Sequence, residues 1–283
     1  MRWRDQRESS NIEDRRGVSG RGIAVGGGGL SILIIVILAV LCGKDPRQLL
    51  SQLPTDPGGG APQQRQNAPA AQNDDMKKFV ASVLGSTEDA WGDIFRRSGQ
   101  QYRKPTLVLF TDSVQSACGV AGASSGPFYC PGDEKLYLDT AFFKELKDDF
   151  GAPGDFAQAY VIGHEVGHHV QKLTGISDKV SRAQQNASEQ QALQLSVRLE
   201  LQADCYAGIW AKFAQGKGLL EAGDVEEALK AASGVGDDSI QRRTQGYVVP
   251  ESFTHGSAKD RMSWFDRGFQ SGDVRQCNTF GGQ

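Results

Sequence analysis

The sequence predicts one α+β domain, predominantly helical, preceded by one transmembrane helix. Three observations predict it: a charge-free aliphatic stretch near the N-terminus, a proline- and glycine-rich segment behind it, and a remainder where helical apolar periodicity is interrupted by short extended runs. Of 283 residues, 39% are hydrophobic and 23% charged, the balance of an ordinary globular chain. A formal net charge of −3 leaves no electrostatic footprint for phosphate backbones, so a nucleic-acid partner is excluded.

Residues 1–22 carry Arg2, Arg4, Arg7, Arg15, Arg16 and Arg21, four acids and no large apolar cluster, and read as a solvated, disordered basic tail. Residues 23–42 contain no charge, and Leu30 to Leu41 is almost continuously aliphatic. Roughly 20 such residues cross a bilayer as a helix. The basic residues before the span outnumber Lys44 and Arg47 behind it, which places the N-terminus in the cytoplasm and the bulk of the chain outside. A cleaved signal peptide is the rival reading, but Leu41 stands where a cleavage site or a lipoprotein cysteine at Cys42 needs a small residue. A buried core helix is a third reading. Residues 43–75, with Pro46, Pro54, Pro57, Pro62, Pro69 and the run Gly58 to Gly60, form a flexible tether.

The folded body is residues 76–283, with no internal repeat. Phe79, Val80, Val83, Leu84, Trp91, Ile94 and Phe95 recur at helical spacing behind the candidate caps Asp74 and Asp75. Thr106 to Phe110 reads as a strand, and Pro127 to Cys130 and Lys135 to Leu138 as an extended pair around the turn Pro131-Gly132-Asp133. Asp139 or Thr140 would cap a short helix ending near Gly151. Asp155 would cap the next, which Gly175 stops, and a long helical stretch follows from about Ala187 to Phe213.

Cys118, Cys130, Cys205 and Cys277 make an even set, suited to a compartment where disulfides persist. Of three pairings we favour Cys118 with Cys130, closing a Gly/Ser-rich loop, and Cys205 with Cys277, stapling the C-terminal tail to the long helix. A thiolate metal site is the rival, weakened by the absence of a close Cys-x-x-Cys pair.

The most informative segment is His164-Glu165-Val166-Gly167-His168, an H-E-x-x-H motif inside a predicted helix. Four residues at about 100° each put His164 and His168 on one face, where two imidazoles grip one zinc ion and Glu165 serves as general base. The alternative is a pair of satisfied histidines on a half-buried helix. His169 lies about 100° from His168 and should point away from the metal as a packing or surface residue.

A catalytic zinc keeps three protein ligands and one open position. A metzincin would need Gly and His where this chain has Gln171 and Thr174. The better third ligand is Glu200 on the long helix, which shares a face with Asp204, Leu193, Val197 and Ala207. Carboxylates on an apolar stripe are costly to bury unpaired. Glu200 would bind zinc and Asp204 would accept the free N–H of a ligating histidine, fixing its tautomer; a surface carboxylate pair is the bland alternative. His255 could be the third ligand, but fits better as an oxyanion or substrate-positioning group.

The combination of H-E-x-x-H and E-x-x-x-D, flanked by GHEVGHHVQ and ELQADCYAGIW, resembles the bacterial putative neutral zinc metallopeptidase family. The segment Ser252-Phe253-Thr254-His255-Gly256-Ser257, with Arg261, Trp264 and Phe265, is similar to that family's C-terminal part. The resemblance implies a zincin-like fold and a gluzincin-like zinc metalloendopeptidase. It also implies one zinc per chain on His164, His168 and Glu200, and a protein or peptide substrate. The site would lie on the periplasmic or extracellular side of the bacterial inner membrane, with residues 23–42 in the lipid. A cell-wall peptide or amide hydrolase and a catalytically silent zinc-containing scaffold are the alternatives. The sequence carries no signal of oligomeric state.

Overall fold

A computed structural model describes residues 1–17, 74–122 and 126–281. The expected transmembrane helix, residues 23–42, and the tether up to residue 73 lie outside the described residues. Among the described residues no helix is long and apolar enough to cross a membrane.

The helix α1, Asp75–Arg97, starts because Asp74 accepts a hydrogen bond from the Lys77 N–H, so Asp74 and Asp75 belong to the body and not to the tether. Its periodic apolar residues, Phe79, Val80, Val83, Leu84, Trp91 and Phe95, are all buried. A four-stranded sheet follows from β1 (Ile12–Asp14), β2 (Thr106–Phe110), β5 (Phe128–Cys130) and β6 (Lys135–Asp139), in the order β1-β2-β6-β5. β1 and β6 run parallel to β2, and β5 runs antiparallel to β6. Strand alternation divides the sheet's two faces. Leu107, Leu109, Leu136 and Leu138 enter the main helical core. Val108, Phe110 and Tyr137 build a smaller core with Val114, under a separate hairpin of β3 (Ser113–Ser116) and β4 (Gly119–Gly122). Cys118 and Cys130 are disulfide-bonded.

The rest is helical: α2 (Phe142–Asp148), α3 (Asp155–Leu173), α4 (Ile176–Gln184), α5 (Glu189–Gly216), α6 (Asp224–Gly234), α7 (Asp237–Gln245) and α8 (Ala258–Ser271). Two expected caps move. Asp139 accepts from the Ala141 N–H, just ahead of α2, while Ala141 itself supplies no side-chain cap. The N-cap of α3 is Gly154, and Glu227 from α6 accepts the Phe156 N–H. Ser188 and Gln191 form a reciprocal capping box that starts α5 just past Ala187. Helix α8 lies backbone to backbone on α5: a Cβ at Gly268 would fall 1.9 Å from the Cys205 carbonyl oxygen. The Cys205–Cys277 disulfide holds the segment after α8 to the same helix.

The reading of residues 1–22 as a solvated, disordered tail is corrected for residues 1–17, which are part of this body. Met1 and Trp3 are buried, and Trp3 meets Phe79 edge-on at 5.6 Å. Ser9 N–H donates to the Ala81 carbonyl, and Asn11 continues into β1 beside β2. Glu88 of α1, 2% exposed, accepts from Ser9 Oγ at 2.5 Å, Asn11 Nδ2 at 2.7 Å and Arg7 Nη2 at 3.1 Å, with Lys104 Nζ at 3.1 Å. The arginines that suggested a tail instead meet body carboxylates, Arg7 at Glu88 and Asp89 and Arg16 at Asp74. Residues 1–17 and the body behind residue 74 therefore belong to one compact unit.

That docking should be acid-labile. Burial opposes ionisation of Glu88, but Ser9, Asn11, Lys104 and Arg7 outweigh it and lower its pKa below the ordinary 4.5. The hydrogen bond from Lys135 lowers Glu13, and the one from Arg16 lowers Asp14 and Asp74. A group with a depressed folded pKa contributes stability in full above its unfolded value and loses it as pH falls through the folded one. The protection factors of the amides of residues 1–17, relative to their intrinsic exchange at each pH, should therefore be flat from pH 7 to about 5 and fall below about 4. Unchanged protection at pH 3 would refute this account of what holds the segment.

Candidate metal centre

The H-E-x-x-H motif lies in the middle of α3, and E-x-x-x-D in the middle of α5. The two helices can approach closely at the motif because Gly167 has no Cβ, which would fall 2.9 Å from the Ala203 carbonyl oxygen. His164 Nε2 lies 3.2 Å from His168 Nε2 and 3.1 Å from Glu200 Oε2, and His168 Nε2 lies 3.4 Å from Glu200 Oε1. The three side chains form one of two groups among the described residues whose ligand atoms all lie within 4.8 Å of one another. In the other, Asp155, Asp224 and Glu227, two members hold the Met1 ammonium, at 2.5 Å from Asp155 and 3.3 Å from Asp224, while Glu227 accepts the Phe156 N–H.

The donor chemistry fits zinc. His164 Nδ1–H donates to Asp204 Oδ1 at 2.8 Å, and His168 Nδ1–H donates to Gln171 Oε1 at 2.9 Å. With each Nδ1 carrying the proton of a neutral imidazole, both Nε2 lone pairs face each other and the Glu200 carboxylate. Two nitrogens and one carboxylate that converge in this way suit a tetrahedral cation with an open fourth position, which would take the place of the protons the imidazoles otherwise carry between them.

The electrostatics point the same way. Burial disfavours the charged form of His164, but Asp204 and Glu200 overcome it and raise its pKa to about 10. His168 is likewise raised against its own burial by Glu200. Glu200 is held well below the usual carboxylate range by the two histidines, again against burial. The same negative potential that draws protons onto the imidazoles would draw a divalent cation.

Asp204 is fully buried and receives Tyr160 Oη at 2.5 Å, Arg261 Nε at 2.8 Å and Arg261 Nη2 at 3.0 Å besides His164. Desolvation alone would raise its pKa, but Arg261 and His164 bring it down to about 2. It thus stays a charged acceptor behind the ligand. Glu165 is 9% exposed and has no side-chain hydrogen-bond partner among the described residues, leaving its oxygens available.

These positions are decisive beside the comparison with known proteins. A family model described as "Putative neutral zinc metallopeptidase" matches residues 1–280. The chain belongs to that family. Among its relatives in the family, "Uncharacterized protein YpfJ" of Escherichia coli strain K12 is 49% identical over 290 residues, covering 99% of each chain. "Uncharacterized protein Rv2575" of Mycobacterium tuberculosis strain H37Rv is 42% identical over 259 residues, covering 86% of this chain and 85% of the relative. No solved structure matches.

In this family member the structure brings the side chains of His164, His168 and Glu200 together, with Asp204 behind His164. His255 lies outside the ligand cluster. It sits half-exposed on a loop, its Nδ1 3.2 Å from Asp237 Oδ1, while Asp237 Oδ2 accepts the N–H groups of Thr254, His255 and Gly256. That loop rests on α5 beside Glu200: a Cβ on Gly256 would lie 3.2 Å from Leu201 and 3.3 Å from Val197. His169 points away from the centre, as expected, donating from Nε2 to the Arg103 carbonyl and accepting from Tyr129 Oη. Sequence reading missed Tyr160, Gln171 and Gln202. The helical offsets of Tyr160 from His164 and Gln171 from His168 were the available signals.

Proposed function

We propose that this chain is a zinc-dependent endopeptidase of gluzincin type acting on extracytoplasmic or envelope proteins. The observation that carries the reading is the convergence of His164 Nε2, His168 Nε2 and the Glu200 carboxylate, with Glu165 beside them and uncommitted. A zinc ion held by these three residues would supply Lewis acidity, bringing the pKa of its water towards 7 and polarising the scissile carbonyl. Glu165 would accept the water's proton and deliver it to the leaving amine. Asp204, locked by Arg261 and Tyr160, keeps the His164 ring in its ligating tautomer. His255, held through Nδ1 by Asp237, would donate to the oxyanion of the tetrahedral intermediate.

An extended substrate would add to the sheet at β5, which pairs with β6 on one side and with no described strand on the other. Tyr129 of β5 reaches His169 of α3, the neighbour of the ligand His168, so this edge lies alongside the zinc helix. The neighbouring strand β6 offers no such edge, because it is paired on both sides, with β2 and β5. The two disulfides favour a periplasmic or extracellular body. The apolar residues 23–42 favour attachment to the bacterial cytoplasmic membrane.

Metal analysis of the purified full chain tests the reading. One zinc per chain is expected, lost from Glu200→Ala on mild chelator washing. Absence of zinc from the intact protein after exposure to it would sink the proposal.

A further inference from the structure

The two ligand histidines are held by different kinds of partner. Behind His164 stands a charged group, Asp204 with Arg261. Behind His168 stands a chain of neutral amides that runs out of the centre to the Cys277 carbonyl, beyond α8. Gln171, fully buried, accepts from His168 Nδ1–H and spends its own N–H groups on the Leu199 carbonyl at 2.7 Å and Gln202 Oε1 at 3.1 Å. Gln202, 4% exposed, passes the pattern on by donating from Nε2 to the Cys277 carbonyl at 2.9 Å. Cys277 is fixed in turn by its disulfide to Cys205, on the same helix as Gln202 and Glu200.

Each link leaves one orientation to the next. The Cys277 carbonyl can only accept, so Gln202 must point its NH2 there and its oxygen at Gln171. Gln171 must then turn its NH2 to that oxygen and to Leu199, and its own oxygen to His168. An acceptor at that point holds the His168 proton on Nδ1 and leaves Nε2 bare for the metal. We infer that Gln171 and Gln202 are positioning residues for the zinc site, an amide relay anchored at the disulfide-held Cys277 carbonyl that presets His168 as a ligand. This rests on the zinc reading above. An amide also adds no charge: zinc with Glu200 and Glu165 then sums to neutrality, with the Asp204–Arg261 pair self-cancelling.

The test is chelator competition for zinc by the metal-stripped full chain, with cobalt absorption as a second readout. Wild type must bind one metal tightly; failure there condemns the zinc reading and not the relay. Gln171→Met, similar in volume but unable to accept the proton, is expected to bind zinc about 10- to 100-fold more weakly. Its cobalt spectrum should change in the ligand-field bands. Gln202→Met, which touches no ligand, should weaken binding several-fold. Gln171→Glu keeps an acceptor for His168 and should bind more tightly than Gln171→Met. Thermal melting of the metal-stripped variants reports folding, and Gln202→Met supplies the outcome if Gln171→Met does not fold. Wild-type affinity in folded Gln171→Met would overturn the proposal. So would wild-type affinity and an unchanged cobalt spectrum in Gln202→Met, since the relay requires its outer link.

Discussion

Glu165→Gln should lower peptide hydrolysis by about 10²- to 10⁴-fold, the range that a positioned general base contributes, while zinc stays at one per chain. The two halves of the result belong together. Glu165 stands outside the three-residue cluster that could hold the metal, so glutamine in its place removes proton transfer without removing a ligand. No described side chain is bonded to its carboxylate, so the change breaks no buried ion pair, and neutralising a buried unpaired carboxylate should leave the melting temperature unchanged or raised. The measurement is initial cleavage rate on an unfolded protein, with metal content and melting temperature from the same preparation. Equal rates for wild type and variant would reject Glu165 as the base. If the wild type cleaves no unfolded protein yet cleaves isolated cell-wall fragments, the substrate class changes while the role of Glu165 stays. If it cleaves neither, the zinc-stabilised scaffold becomes the better account.

The centre was legible in the sequence because its logic is local. His164 and His168 are one helical turn apart, and so are Glu200 and Asp204, so two short motifs predict two faces that must meet. The disulfides were legible from loop chemistry. What lay outside local periodicity was harder to read. β1 is three residues long, its side chains are half-buried or exposed, and it alternates no apolar residues, so it carries no strand signal of its own. Its order comes from β2, more than ninety residues later, and from Glu88. Gln171 was weighed only as the absence of a glycine, because a buried amide shows its purpose only when its partners on another helix are known. Arg261 entered by resemblance alone, since its pairing with Asp204 spans 57 residues.

Deleting residues 1–16 should abolish cooperative folding of the body, the opposite of what a solvated tail predicts. Truncating a buried tryptophan costs about 3–5 kcal/mol, and Trp3 is 8% exposed against Phe79. Removal of Ser9, Asn11 and Arg7 would leave the 2%-exposed Glu88 with Lys104 as its remaining partner in that cluster. A domain's whole stability is about 5–15 kcal/mol, so the combined loss should exceed it, and Trp3→Ala alone should lower the melting temperature measurably. A truncated chain that melts like the full one would refute the docking. The consequence reaches the membrane. Since residues 1–17 and 74–281 form one body, a probe on each must lie on the same side of the bilayer. In a Cys42→Ser background, Arg2→Cys and Val120→Cys, at side chains that are well exposed, should react alike with an impermeant maleimide added to intact cells. Labelling of one and protection of the other would restore the single crossing with the N-terminus in the cytoplasm. Labelling of both would place the N-terminal segment outside with the candidate zinc site.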